Sequence, residues 1–315
     1  MARLAVVLSG GGAKGAFQVG VLDALVNEHG VKPAIAVGTS TGAIQALGVA
    51  QDDIAGLKDV WLGIKDNRDI YRERGDILSS VLFGKKALYD ASPLRERLED
   101  FADPAKLAGS PVDLHLGVVS LQAGEFRTID KSVPDIHNWV YASCAMPVFF
   151  DPLETSDGQQ WVDGGVRDVT PLGAALERNP TGVLVIRASP PTKVAKSKSF
   201  GGLIPIGLRS VDLLQAEVSL NDVGNTALIN GMLDARDEMF VHLQKGGATV
   251  QEANRILEPF SQRLSRFRFA QVRVIEPEEN FSDTLEFDPA KIRRAIDAGR
   301  AALNANFDML EPLFR

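Results

Sequence analysis

Gly38-Thr39-Ser40-Thr41-Gly42 decides how this chain is read. It has the form G-x-S-x-G. Ahead of it, Pro33-Ala34-Ile35-Ala36-Val37 is a short apolar run of the buried-strand type. Behind it, Ala43-Ile44-Gln45-Ala46-Leu47-Gly48-Val49-Ala50 reads as a buried helix. A strand that turns sharply into a helix at a serine pushes the hydroxyl out at the strand's carboxyl end, next to the free N–H groups of the first helical turn. In so tight a turn, side chains two positions before and two after the serine collide, which accounts for Gly38 and Gly42. An ordinary Gly/Ser/Thr turn satisfies the same five letters, so the rest of the chain has to decide.

The first neighbour upstream is of the same kind. Leu4 to Leu8 reads as a buried strand, Ser9-Gly10-Gly11-Gly12-Ala13-Lys14-Gly15 as a glycine loop, and Ala16 to Val26 as a helix. Gly10-x-Gly12-x-x-Gly15 satisfies the dinucleotide fingerprint in the right context, but the second strand ends in Val37-Gly38-Thr39-Ser40 where that reading needs an acidic residue for the ribose. A P-loop fails because Ala16 and Phe17 follow Gly15. A third reading uses the same physics: glycines expose backbone N–H groups to a small anion, and the helix behind adds partial positive charge. If the anion is a tetrahedral intermediate, the loop is an oxyanion hole. Two consecutive strand–turn–helix units of one parallel sheet place both turns side by side at the strands' carboxyl ends, so loop and serine face one space.

The whole chain sets bounds. At 315 residues, with 45% hydrophobic and 24% charged residues, it can bury a sizeable core. A net charge of −7 argues against a general nucleic-acid partner. Cys144 is the single cysteine, so no internal disulfide forms, and it reads as a packing residue among small apolar neighbours. The apolar start from Leu4 is too short for a signal peptide and no run has the length of a membrane span, so the expected location is cytoplasmic.

Further along, a helix is expected over Asp52–Lys65, and residues 66–90 form either a cover over the site or a packed surface excursion. Ser92-Pro93 opens a helix to about Phe101, with the serine as cap. Val112–Ser120 and Phe126–Ile129 make a hairpin; residues 136–145 are helical and stop at Pro147. A hairpin through Asp157-Gly158 leads to Gln160-Trp161-Val162 and Asp163-Gly164-Gly165. Asp163 either braces its own turn or serves the serine, with Asp151, Asp157 and Asp168 as rivals. A short helix from Leu172 and a strand over Gly182–Arg187 extend the sheet, and Pro190–Ser199 is a polar, basic loop. Residues 201–267 are mainly helical, Phe269–Ile275 is a late strand, and Asp288-Pro289 caps a last helix. The chain reads as one domain over 1–315, with a motif-bearing core at about 4–190 and a mainly helical part at about 201–315.

A serine nucleophile needs a base within hydrogen-bond reach. None of His29, His115, His137 and His242 falls where a conventional triad would present it, which leaves a carboxylate as direct base. Burial would raise such a carboxylate toward useful basicity.

At this point the sequence resembles the patatin-like phospholipase family. Gly10 to Gly15 resembles its glycine-rich oxyanion loop with a basic residue, Gly38 to Gly42 its nucleophile elbow, and Asp163-Gly164-Gly165 its Asp-Gly-Gly element. Ala142-Ser143-Cys144-Ala145-Met146-Pro147-Val148-Phe149 resembles the family's Ala-Ser-x-Ala-x-Pro-x-Phe segment. The resemblance implies a three-layer α/β/α sandwich around a mainly parallel sheet, and hydrolysis of lipid acyl esters without metal or cofactor. It further implies Ser40 as nucleophile, Asp163 as base, and backbone donors at Gly10, Gly11, Gly12 and Thr41. Lys14 would hold the loop or meet an anionic substrate group. The expected partners are a lipid or phospholipid ester and, transiently, a membrane or micelle surface. A soluble esterase or thioesterase of the same mechanism is the alternative, and a nucleotide-binding protein using Gly10–Gly15 a remote one. One departure is the run Val166-Arg167-Asp168-Val169-Thr170-Pro171, where the family often has asparagine before proline.

Overall fold

The computed structural model describes residues 3–75, 84–190, 199–265 and 267–314. Five strands run parallel: β1 (Leu4–Leu8), β2 (Ile35–Thr39), β5 (Asp113–Ser120), β9 (Gly182–Ile186) and β10 (Val272–Ile275), in the order β10-β9-β1-β2-β5. β5 also pairs antiparallel with β6 (Phe126–Asp130) and β8 (Gln160–Asp163), and β8 with β7 (Leu153–Glu154). A separate two-stranded ribbon joins β3 (Arg72–Glu73) to β4 (Tyr89–Asp90).

The central strands are apolar on both faces because both are covered. In β1, Leu4, Val6 and Leu8 face one core and Ala5 and Val7 the other. The larger core is covered by α1 (Ala16–Leu22), α2 (Thr41–Ala50), α3 (Ile54–Leu62), α4 (Ser92–Phe101), α6 (Ile136–Cys144) and α10 (Pro289–Leu310). The opposite face packs against α7 (Leu172–Leu176) and, through Val223, α8 (Leu203–Lys245). The architecture is a three-layer α/β/α sandwich with a mostly parallel sheet. α5 (Pro104–Gly109) lies before β5, and α9 (Val250–Leu264) packs on α8. Among the described residues, no helix is long and apolar enough to cross a membrane.

From β1 the strand order moves one way to β2 and β5, and later the other way to β9 and β10. The glycine loop leaves the sheet at that reversal, the place where open α/β sheets leave a crevice for ligands.

Local chemistry explains most boundaries. Asp288 caps α10 by accepting from the N–H groups of Ala290 and Lys291, both at 2.9 Å. The cap expected of Ser92 is not made: its hydroxyl turns back to Asp90, whose Oδ1 also accepts from the Ser92 N–H at 3.0 Å. The helix expected over Asp52–Lys65 is shorter, because Asp53 caps it through Gly56 N–H at 2.8 Å and Gly63 follows its end. The described part of 66–90 packs beside the Met146–Phe150 segment. There the Tyr71 and Tyr89 rings meet at a tilt, their centroids 4.6 Å apart, and Tyr71 Oη donates to the Leu285 carbonyl at 2.8 Å. Residues 76–83, and 191–198 of the expected basic loop, lie outside the described residues.

Candidate active site

β5 is the ruler on which the site is assembled. Thr39, the last residue of β2, is in register with Gly117, and Asp163, the last of β8, with Val118. Adjacent positions of one strand therefore bring Ser40 and Asp163 together across 163 − 40 = 123 residues of sequence. A Cβ on Gly164 would overlap the Gly117 carbonyl and sit 3.0 Å from a Thr39 methyl, so the base loop needs glycine to lie this close to the elbow.

Ser40 sits at φ 56°, ψ −130°, a backbone state that is costly for a residue with a side chain. Both ends of the elbow explain how it is tolerated. A Cβ on Gly38 would overlap the Gly42 carbonyl, and one on Gly42 the Leu8 carbonyl of β1. The expected clash between two side chains is thus two clashes of side chain with backbone, one of them against the neighbouring strand. The Ser40 N–H is held from α6: it donates to Ser143 Oγ at 2.9 Å, and Ser143 Oγ donates to the Gly117 carbonyl at 2.6 Å. Ser143 is a positioning residue that the sequence reading quoted but assigned no task. An Ala-Ser pair late in an apolar helix offers little sign that its hydroxyl will be buried against an elbow 103 residues upstream.

The Ser40 hydroxyl and the Asp163 carboxylate share one cleft. Asp163 is 2% exposed, and burial pushes its carboxyl up to about 7; the nearby Ser40 hydroxyl and the hydrogen bond from Gly165 N–H at 2.7 Å pull the other way. The Gly165 bond means that Asp163 braces its own turn, the first of the two readings of this residue. Its rivals are engaged elsewhere. Asp151 pairs with Arg74, Asp157 closes its hairpin onto Thr155 at 2.6 Å, and Asp168 is hydrogen-bonded to Asp222 of α8.

Gly11, Gly12 and Thr41 line the same cleft as Ser40 and Asp163, and among the described residues their N–H groups donate to no protein acceptor. Gly10 has to be taken out of the expected donor set. Its N–H is used by the Val169 carbonyl at 2.9 Å, so it supports the loop instead. Gly12 takes φ +57°, and a Cβ there would overlap the Thr284 carbonyl, which accepts from Ala13 N–H at 2.9 Å. With that helix-start donor covered by protein, the loop offers a diphosphate fewer of the donors that a dinucleotide site supplies. Lys14 meets Asp212 of α8 at 3.0 Å, each side chain 10% exposed, and Asp212 also accepts from the Thr284 hydroxyl. Of the two roles expected for Lys14, the ammonium takes that of holding the loop.

Away from these groups the cleft is largely apolar, walled by Ile44, Trp61, Ile64, Leu98, Phe150 and Phe287, with Arg97 and Gln215 as its remaining polar side chains. Cys144 is part of the lining; burial pushes its thiol well up, which keeps it in the unreactive protonated form. Among the described residues, no histidine lines the cleft. His29 stacks on Phe307 at 3.6 Å, and His115 bonds Asp113 at 2.8 Å and Arg178 at 2.9 Å on the carboxyl-remote half of β5.

A serine on a strained strand–helix turn, a buried carboxylate and a glycine loop thus share one largely apolar cleft. Residues 6–176, more than half of the chain, match the patatin-like phospholipase family, and the chain belongs to that family. It is 24% identical over 191 residues to the uncharacterized protein YjjU of Escherichia coli strain K12, covering 60% of this chain. The chain spans about half, 52%, of the length of that relative. Among solved structures it resembles VipD from Legionella pneumophila, at 16% identity and a TM-score of 0.48, over 98% of this chain and 67% of that one.

Proposed function

We propose that the protein is a serine acyl hydrolase that cleaves carboxylic esters of phospholipids or related lipids through a Ser40–Asp163 dyad. The observation that carries this reading is that Ser40, on its strained turn, and the buried Asp163 carboxylate end neighbouring strands in register with adjacent β5 positions and line one largely apolar cleft. Asp163 takes the Ser40 proton as Oγ attacks the acyl carbon. The N–H groups of Gly11, Gly12 and Thr41 stabilise the oxyanion, aided by the amino end of α2. The proton then passes to the leaving alcohol, and water releases the acid in a second round. The apolar walls suit an acyl chain, and the cell interior is the compartment the composition favours, with contact to a lipid surface during turnover.

The direct test is a fluorophosphonate probe. It is expected to label Ser40 and to abolish turnover; active protein that stays unlabelled would remove the nucleophile. Short-chain nitrophenyl esters set against phospholipid vesicles separate a lipid hydrolase from a soluble esterase or thioesterase. Because the base must be ionised, kcat/KM is expected to rise with pH through about 7, the value to which burial brings Asp163. A pH-independent rate from 5 to 9 would count against Asp163 as the base.

A further inference from the structure

The stretch that matches the family ends at residue 176, yet α8, which begins at Leu203, lies against the same site. Its inward side carries Asp212, Gln215, Ser219 and Asp222, a spacing of three, four and three that aligns them in one row. Three of the four have partners. Asp212 holds Lys14, Ser219 meets Thr170 Oγ1 at 2.7 Å and accepts from Arg187 Nε at 3.0 Å, and Asp222 bonds Asp168. Gln215 differs. Among the described residues its amide has no protein partner, although it lines the cleft with Ser40 and Asp163. A Cβ on Gly165 would lie 2.8 Å from Gln215 Nε2 and 3.0 Å from Asp163 Oδ1, so an amide donor and the carboxylate converge on one methyl-sized position.

We propose that Gln215 holds the water that hydrolyses the acyl-enzyme, a role that rests on the Ser40–Asp163 reading. In that step the water oxygen bonds to the acyl carbon of the Ser40 ester and its proton goes to Asp163. The tetrahedral intermediate then collapses, the bond from the acyl carbon to Ser40 Oγ breaks, Asp163 returns the proton to Oγ, and the free acid leaves. An acyl group is held by the apolar cleft, but water offers only its own donors and lone pairs and is placed by hydrogen bonds alone. Asp163 accepts one of its hydrogens. The Gln215 amide donates to one lone pair and leaves the other aimed at the acyl carbon. Glycine at 165 leaves room for amide and carboxylate to meet. Acylation by a nitrophenyl ester needs neither contact, because nitrophenolate leaves without a proton.

The test compares wild type with Gln215→Leu and Gln215→Asn on nitrophenyl octanoate, following the pre-steady-state burst, steady-state turnover and intact mass. In both variants a burst of about one nitrophenolate per fluorophosphonate-reactive serine is expected to persist. Steady-state turnover is expected to fall about 10-fold or more, the octanoyl adduct to accumulate, and hydroxylamine, a stronger nucleophile, to restore much of the lost rate. The Tm is expected to stay at the wild-type value, since no protein contact is removed. Unchanged turnover, or burst and steady state falling together, overturns the assignment. Wild type that neither labels nor releases nitrophenolate overturns the dyad, and with it this role. Labelled, active wild type with unaltered variants overturns the water site alone.

Discussion

Around Ser40 the chain is held by backbone against backbone, whereas beyond the close approach of Gly164 to Gly117 the loop after Asp163 is held by side chains. Gly38 touches the Gly42 carbonyl, Gly42 touches the Leu8 carbonyl, and Gly12 touches the Thr284 carbonyl. None of these contacts has a torsion that can turn away. The loop after Asp163 rests instead on hydroxyls and carboxyls: Thr170 on Ser219, Asp168 on Asp222, and Arg187 between Ser219 and Glu276 at 2.7 Å. The Ser40 side is therefore fixed by shape and is insensitive to pH, while the loop after Asp163 leans on groups that can rotate or titrate.

The largest expected effect breaks the backbone side. Gly38→Ala puts a methyl into the Gly42 carbonyl, which cannot retreat without moving α2 off β1. A loss of about 3 kcal/mol or more is expected, by the cost of overpacking in a site with no slack. Urea denaturation monitored by circular dichroism checks it. A variant of wild-type stability would show the elbow to be softer than its contacts imply. On the other side, Gly173→Ala, whose Cβ meets nothing within 4 Å, is the matched control and is expected to leave stability near wild type.

Asp163→Asn comes next, because it separates function from stability. Turnover is expected to fall by 10³-fold or more, in line with the loss of an activating base. Stability moves the other way. The folded-state carboxyl is raised from 3.8 to about 7, so its favourable contribution is complete below about pH 4 and is lost as pH rises to about 7. Above that, the buried charge weakens the fold by no more than about 4 kcal/mol. Asparagine keeps the acceptor for Gly165 N–H and carries no charge. Its Tm is expected to exceed wild type at pH 8 and to match it near pH 4; equal melting at both values would mean that the carboxylate is better solvated than its burial indicates.

This contrast also explains what could be read from the chain. The elbow, the glycine loop, β1 and the start of α10 are written as short local patterns, because steric rules act between near neighbours. Asp163 was identifiable only by its glycines and by resemblance, since three other aspartates in the region share its local features. The roles of Ser143 and of α8, itself expected as helix, were illegible for a different reason. A serine inside a helix names no partner, and Gln215 sits in a segment whose mixed composition suggests only helix. The row at 212, 215, 219 and 222 was present as a polar stripe at helical spacing. Without the fold, a polar stripe on a helix means solvent.

Ser143→Ala tests the place where the elbow itself relies on a side chain. Removing Oγ leaves the buried Ser40 N–H without an acceptor, at a cost of about 1–3 kcal/mol. It also loosens the residue whose hydroxyl reacts, so kcat is expected to fall about 10-fold with KM little changed. Ser143→Thr, which retains the hydroxyl, is the matched comparison. A kcat equal to wild type in the alanine variant would show that Gly38 and Gly42 alone hold the elbow.

The smallest effect concerns the carboxyl pair that joins the base loop to α8. Burial and mutual repulsion raise Asp168, and burial raises Asp222, so the two hold a proton between them. Facing them are Thr170, whose N–H donates to Asp168, and Ser219 one turn before Asp222. Arg187 lies beyond Ser219 and is paired with Glu276. A raised carboxyl contributes stability that is full below its unfolded value and is lost as pH climbs through the folded value, so this junction is expected to weaken as the pair gives up its proton. Asp222→Asn replaces the shared proton with a permanent amide donor to Asp168. The variant is expected to gain about 1 kcal/mol at pH 8 and nothing at pH 5, read as the difference in urea midpoint. The gain should come with slower hydrogen exchange at the amides of 164–171, while exchange at 38–42 stays as in wild type. If both segments changed together, the two sides of the site would be one mechanical unit, and the division between a backbone-held nucleophile and a side-chain-held base would not stand.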